Sequence, residues 1–438
     1  MQKTRIISLN EWENSQPLQW PDKQPVYFES DDPARITAEK LTQANIISVI
    51  ETRNGISLGA SSYVGRINLG PLRITIQPKI KGLKLLRLVK YAYGLKDLQL
   101  YSDVDYDLKK DAFQEILIAQ LAMEVMNLVN RGLCRQYKRQ REGLSSPRGL
   151  IDINQIAANG GIITGRLPCV HYPRDIDCMP NQILGAGLSL ATNICGNTIL
   201  KSKLRRLNKY FLSEVSKVQL DYHILQRLER EANRLVSAYQ PTFRIIKILM
   251  EGQGVSMADQ DLVKFEGFLF DMNRFFQSLM SRFMNEYLTA HKVQDEFKLH
   301  GMMEYQAGKN PQNHRPPSPR PDFAIFKGNT MVKLLDAKYR NLWEKKLTRD
   351  MLYQLSIYAL SQEPGPKSDA AILYPSLDRS AREATIVIND PVTTQLRGKV
   401  TLRPVNLDIL DELLENREKP GFRSKASDYA HQLAFGLR

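Results

Sequence analysis

Cysteine is scarce in this 438-residue chain: Cys134, Cys169, Cys178 and Cys195 are its only four, and no two form a C-x-x-C pair. That excludes the common zinc-knuckle spacings, and four thiols at this length are too few for a disulfide framework, so free thiols in a reducing compartment are expected. Long hydrophobic runs are missing too, none reaching the ~18 apolar residues that a membrane-spanning helix needs. The opening segment MQKTRIISLNEWENSQP has no apolar stretch of the kind a secretory leader carries, and a cytoplasmic protein without membrane association is expected. No G-x-x-x-x-G-K-S/T segment occurs, which argues against a nucleotide site of that type in this chain. His171, His223, His291, His300, His314 and His431 show no ligand-like spacing, so no histidine is assigned to a metal. Internal repeats and low-complexity tracts are likewise absent.

What is present is globular. Hydrophobic residues make up 42% and charged residues 25%, values that predict real cores, and the length predicts about two to four domains. Lys and Arg total 61 against 47 Asp and Glu, a net +14 that favours polyanionic partners such as nucleic acid. Basic clusters stand at CRQYKRQRE (134–142), KSKLRR (201–206) and RPPSPRP (315–321). Each taken alone is an ordinary solvated face; several together carry more weight.

The pattern along the chain changes twice, predicting an α+β multidomain protein. Residues 1–105 read as a β-rich module of short strands broken by turns. Within it GASSYVGRINLGP, with Tyr63 and Arg66, is expected to be a loop projecting from a hairpin. Residues 106–255 read as mainly helical, with apolar spacing from 107 to 131 and from 182 to a stop near Pro241. In residues 256–438 a helix over 261–290 is followed by a strand at FKLHGM and a Pro-rich loop. Two strands (322–327 and 331–339), a helix over 348–360 and a buried strand DAAILY complete the pattern.

Within RPDFAIFKGNTMVKLLDAKYR (320–340), Asp322 opens one apolar run and Asp336 and Lys338 close the next, where strand interiors usually exclude charge. Alternation puts Val332, Leu334, Asp336 and Lys338 on one face. A two-residue Gly328-Asn329 turn sets Asp322 opposite Leu335, whereas a three-residue turn through Thr330, or a bulge, sets it opposite Asp336; the sequence leaves these alternatives open. Converging carboxylates repel each other unless a cation lies between them, and paired hard oxygens suit Mg²⁺. That ion activates water and stabilises charge on a phosphodiester, with Lys338 placed to orient the nucleophile and the backbone carbonyl of Ala337 as a further ligand. Gln354 and Tyr358, four residues apart on the next helix, share a face as supporting residues. A lone D-x-K is commonplace, and an exposed Asp-Lys pair contributes little. The combination of Pro-Asp, Asp-Ala-Lys and the two flanking helices is what singles this hairpin out.

Those residues resemble the PD-(D/E)xK nuclease core, a restriction-endonuclease-like αβββαβ fold, and Gln354 and Tyr358 resemble its Q-x-x-x-Y element. RGLIDINQI (148–156), LPCVHYPRDIDCMPNQIL (167–184), FLFDMNRFF (268–276) and YVGRINLGPLRITIQPKI are similar to segments of McrC, the nuclease subunit of McrBC-type modification-dependent restriction systems. The resemblance spans roughly residues 50–380. It implies a Mg²⁺-dependent endonuclease with Asp322, Asp336 and Lys338 as its catalytic triad. It also implies a McrB-like hexameric AAA+ GTPase partner, which binds the GTP, recognises modified double-stranded DNA, and is stimulated by an N-terminal finger that would include Tyr63 and Arg66. A second nuclease subunit would meet the first on DNA for double-strand cleavage. In one departure, Gln277 stands where many relatives carry an acid, leaving Glu266 or Glu286 as candidates for a third acidic ligand. Two alternatives remain: a non-catalytic adaptor that activates a AAA+ ring on a DNA-binding, nuclease-like scaffold, and a stand-alone repair nuclease.

Overall fold

The computed structural model describes residues 4–29, 31–80, 82–95, 113–162, 165–220, 224–225, 236–252, 266–362 and 369–436. The chain begins with β1 (Arg5–Asn10), α1 (Pro33–Gln43), β2 (Ile47–Thr52), β3 (Gly55–Ala60), β4 (Tyr63–Leu69), β5 (Leu72–Gln77) and α2 (Gly82–Ala92). Next come α3 (Phe113–Arg131), β6 (Gln136–Tyr137), β7 (Gln140–Leu144), β8 (Leu150–Ile151), α4 (Ile153–Ala158), β9 (Leu167–His171), β10 (Arg174–Asp175), α5 (Met179–Ile194), α6 (Thr198–Glu214) and α7 (Gln240–Glu251). The last part holds β11 (Glu266–Asp271), α8 (Met272–Tyr287), β12 (Lys292–Asp295), β13 (Phe323–Lys327), β14 (Thr330–Ala337), α9 (Arg349–Leu360), β15 (Asp369–Ser376), β16 (Ala384–Asn389), β17 (Leu396–Asn406), α10 (Leu407–Glu415) and α11 (Phe422–Phe435). Helices and several sheets are thus mixed along the chain. No helix among the described residues is long and apolar enough to cross a membrane.

The chain folds into two compact units, each built from separate segments: residues 1–6, 65–75 and 97–270 form the first, and 7–64, 76–96 and 271–438 the second. The first unit holds α3 and α5–α7, with Leu117, Leu121, Leu184, Leu188, Phe243 and Ile246 fully buried. It also contains β6–β10, strands not expected in a helical region. Pro241 opens α7 instead of stopping a helix, because at the first turn its missing N–H has no partner to lose.

The second unit is organised by a six-stranded sheet in the order β12-β13-β14-β15-β17-β16. Strands β12, β13 and β14 pair antiparallel, β14, β15 and β17 parallel, and β16 closes the edge antiparallel. Joining parallel neighbours requires a crossover, which α9 supplies between β14 and β15. Thr348 caps α9 by accepting from the Met351 N–H. One face of the sheet (Ala324, Leu334, Ala370, Ile372, Tyr374, Val400) packs on Leu355, Tyr358 and Ala359 of α9. Arg403 of β17 donates to the carbonyls of Leu433 and Ala434 in α11. Helix α1, also unexpected, is marked by Asp32, whose carboxylate accepts from the Ala34 N–H, and by Pro33 at the first turn.

Three further expectations are corrected. The helix expected over 261–290 begins at Met272; EGFLFD is strand β11, and residues 253–265 lie outside the described residues. Gly267 explains the difference, with φ 138° and a missing Cβ that would lie 2.2 Å from the Arg66 carbonyl oxygen. The strand expected at FKLHGM falls earlier, at Lys292–Asp295, because Glu296 turns to φ 50° and ends it. The segment read as a projecting loop is largely strands β3 and β4, and β4 is an inner strand of the sheet β1-β5-β4-β11.

Candidate active site

The hairpin β13–β14 settles the question of register. Its turn has two residues: Lys327 pairs with Thr330, and Gly328 adopts φ 60°, the positive value that a Gly-first tight turn requires. That turn alone would leave Asp322 opposite Leu335. Between Ile325 and Phe326, however, the register slips: Phe326 pairs with Met331 and Ile325 with Lys333, leaving Val332 as the extra residue of a bulge. Beyond the bulge Phe323 pairs with Leu335, so one further step in the same register sets Asp322 across from Asp336. Directly opposed residues share a face, and the bulge therefore brings the two carboxylates together.

Each carboxylate is held differently. Asp322 Oδ2 accepts from the Ala337 N–H at 2.7 Å, and Oδ1 accepts from the Gln277 side-chain amide at 3.1 Å. Asp336 is only 1% exposed; its Oδ2 lies 3.0 Å from Lys338 Nζ, while its buried Oδ1 has no hydrogen-bond partner. Burial, followed by the charge of Asp336, pushes the Asp322 carboxyl up to about 7. Burial raises Asp336 as well, against the pull of Lys338. For Lys338 burial disfavours the charged form, but Asp336 and Asp322 outweigh it and hold the ammonium above its ordinary value. Two carboxylates and one ammonium leave an excess negative charge in a poorly solvated place.

The following helix completes this side of the site. Gln354 donates to the Tyr358 hydroxyl at 2.8 Å. Burial first, then the charges of Asp336 and Asp322, raise the Tyr358 phenol. Helix α8 contributes two residues that the sequence did not single out as functional. Asn273 and Gln277 are four apart and share a face; Asn273 accepts from the Tyr339 N–H at 3.0 Å, next to Lys338, and donates to the Ser62 hydroxyl at 2.7 Å. Their signal lay in FDMNRFFQ, where two amides interrupt an apolar helix face.

Other candidates lie elsewhere. Glu286 accepts from the Tyr91 hydroxyl at 2.9 Å and pairs with Arg417 and Arg282, so it is not a third acid of this cluster. The side chain of Glu266 lies outside the described residues. Tyr63 bonds to Asp271, the residue that caps α8, and Arg66 pairs with the buried Glu115 at 3.7 Å, so both side chains are engaged within the fold. Among the described residues no group of three or more His, Cys, Asp or Glu gathers as a metal site. The acidic donors here are two.

The profile of a family described as "McrBC 5-methylcytosine restriction system component" matches residues 58–375, well over half of the chain. Among solved structures, the chain is similar to one from the "Refined half-complex from tetradecameric assembly of Thermococcus gammatolerans McrB AAA+ hexamers with bound McrC". Identity is 17%, covering 95% of this chain and 100% of that one, with a TM-score of 0.62. A second similarity, to the "Cryo-EM structure of the Thermococcus gammatolerans McrBC complex", has 18% identity over 65% of this chain and 88% of that one, with a TM-score of 0.47. No curated protein matches.

Proposed function

Because this chain belongs to the McrBC 5-methylcytosine restriction system component family, we propose that it is the DNA-cleaving subunit of such a system, with Asp322, Asp336 and Lys338 at its phosphodiesterase site. The observation that carries this reading is the unpartnered, buried Oδ1 of Asp336 beside Asp322. Retaining two carboxylates next to each other, Asp336 buried and Asp322 half-buried, with a single lysine to offset them, is unfavourable for a purely structural hairpin. The order α8-β12-β13-β14-α9-β15 supports a restriction-endonuclease-like core.

The donor set fits a hard divalent cation such as Mg²⁺, which Asp322, Asp336 and the Ala337 carbonyl would hold. When bound, it would activate water and stabilise negative charge on the phosphodiester. The chain's own residues supply the rest. Lys338, fixed by its contact with Asp336, would orient the attacking water and stabilise charge developing on phosphorus. Gln277 and the Ala337 N–H hold Asp322 in one orientation, and Asn273 holds the backbone next to Lys338. Tyr358, steadied by Gln354, borders the cluster.

In the Thermococcus assembly McrC is bound to McrB AAA+ hexamers, and we infer a corresponding partner here. That partner would bind GTP, recognise modified double-stranded DNA and be stimulated by this chain. Cutting both strands would take a second copy of the site, supplied by another nuclease subunit. The test is Asp336→Asn assayed with the AAA+ partner, GTP, Mg²⁺ and methylated plasmid, with cleavage and GTP hydrolysis scored separately. Loss of cleavage with GTPase stimulation retained supports the reading. Stimulation by both proteins, with no substrate cut by either, supports the adaptor alternative instead.

A further inference from the structure

We propose that the small β module of residues 134–178, in the first unit, is a docking surface for the backbone of double-stranded DNA. The inference rests on the reading of this chain as a DNA-processing protein, but uses residues outside the hairpin site. Every residue from Arg135 to Gly143 is exposed, an unusual run for a folded segment that includes two strands. Arg135, Arg139, Arg141, Arg148 and Arg166 are all exposed and have no acidic partner among the described residues.

The acids of the module are already committed. Glu142 is paired with His171 at 2.6 Å, Asp152 caps α4 by accepting from the Gln155 N–H, and Asp175 and Asp177 take Lys138 at 3.6 and 3.9 Å. Among the described residues the five guanidinium groups therefore lack internal counter-charge.

Register places two of them on one face. The module's sheet runs β7-β9-β8, with Arg141 opposite Val170 and Val170 opposite Leu150. Arg166 is four residues before Val170 and so shares its face, and its side chain passes within 3.5 Å of where a Gly143 Cβ would stand. That face thus presents Arg141 and Arg166 to solvent beside Leu150, which is 70% exposed. Glu142 and His171 occupy the other face, by alternation. Clustered guanidinium groups fit phosphate oxygens through forked hydrogen bonds, and a β-ribbon fits a DNA groove. An aromatic side chain, Tyr137, stands 71% exposed in the same module with the Arg174 guanidinium 5.9 Å from its ring centre.

The experiment is fluorescence anisotropy of the full-length protein with a labelled 30-base-pair duplex, without divalent cation, titrated with KCl. Wild type is compared with the triple variant Arg139→Gln, Arg141→Gln, Arg166→Gln and with the single variant Arg141→Glu. Removing one cation from a phosphate flattens the plot of log affinity against log salt by ~0.9, so the triple variant should take roughly 2.7 off the slope, equally for methylated and unmodified duplexes. Arg141→Glu should weaken binding at low salt. Unchanged affinity and slope in the arginine variants would overturn the proposal, as would unchanged DNA binding combined with loss of association with the AAA+ partner, which would mark a protein-docking face. Cleavage by Asp336→Asn would instead overturn the nuclease reading, since the anisotropy measurement is made without metal or catalysis.

Discussion

The side-chain amide of Gln277 donates to Asp322 Oδ1 at 3.1 Å, so helix α8 reaches the carboxylate pair through a neutral residue. Replacing it with an acid would set a third carboxylate beside two that already repel. Gln277→Glu is therefore expected to lower the metal-free melting temperature at pH 8 by several degrees, to lose most of that deficit at pH 5 as the cluster takes up protons, and to shift the midpoint of Mg²⁺ stabilisation to roughly tenfold lower concentration. Thermal melts with and without Mg²⁺ at both pH values provide the check. An unchanged Mg²⁺ midpoint would show that position 277 does not border the cation.

Asp336 provides a complementary test. Its carboxylate is buried with one oxygen unpartnered, and its charged form is disfavoured in the folded chain. Asp336→Asn removes that charge, so in EDTA at pH 8 it should melt higher than wild type by ~1–2 °C, equivalent to about 1 kcal/mol. Adding Mg²⁺ should raise the wild-type melting temperature but move the variant little, and cleavage should fall by about 10³-fold. A variant that gains as much from Mg²⁺ as wild type would place the cation elsewhere.

How much of this could be read in advance differs from residue to residue. Asp322, Asp336 and Lys338 were legible because charge at strand ends breaks an apolar pattern, and Gln354 and Tyr358 because helical spacing puts them together. The bulge at Val332 was not, since β-branched residues suit both regular and bulged strands and nothing local marks the extra residue. Tyr63 and Arg66 looked available because Gly and Ser surround them, whereas Gly65 supports close strand packing: a Cβ there would lie 2.1 Å from the Phe268 carbonyl oxygen. Gln277 and Asn273 gain meaning only when α8 packs near β14, a long-range relationship that periodicity does not encode.

The hairpin register predicts a loss of function separable from side-chain chemistry. Deleting Val332 would remove the extra residue and leave Ile325 opposite Lys333 and Asp322 across from Asp336, so cleavage should survive. Deleting Phe326 instead, with the bulge kept, would set Asp322 opposite Leu335, on the other face from Asp336. Cleavage and Mg²⁺-dependent stabilisation should both disappear in the Phe326 deletion while circular dichroism still reports a folded chain. Wild-type cleavage by the Phe326 deletion would mean that this register does not assemble the pair.

Glu11, far from the hairpin in sequence, should govern a pH-dependent part of stability. It is 2% exposed and borders a cavity of about 100 Å³ with Lys79, Tyr339 and Asn341; Oε1 accepts from the Lys79 N–H at 3.1 Å and the Tyr339 hydroxyl at 3.4 Å, and Oε2 has no partner. Burial pushes its carboxyl from 4.5 to about 7. Below 4.5 the group is protonated in both folded and unfolded chains, and burial carries no charge penalty. Between 4.5 and about 7 the folded state holds more protons, so stability falls as pH rises, and above about 7 the full penalty applies, at most about 3 kcal/mol. Glu11→Gln removes the ionisable proton while keeping an oxygen for Lys79 and Tyr339, so it should melt near wild type at pH 4.5 and several degrees higher at pH 8. Parallel melting curves at both pH values would show that the Glu11 charge is already compensated in the fold.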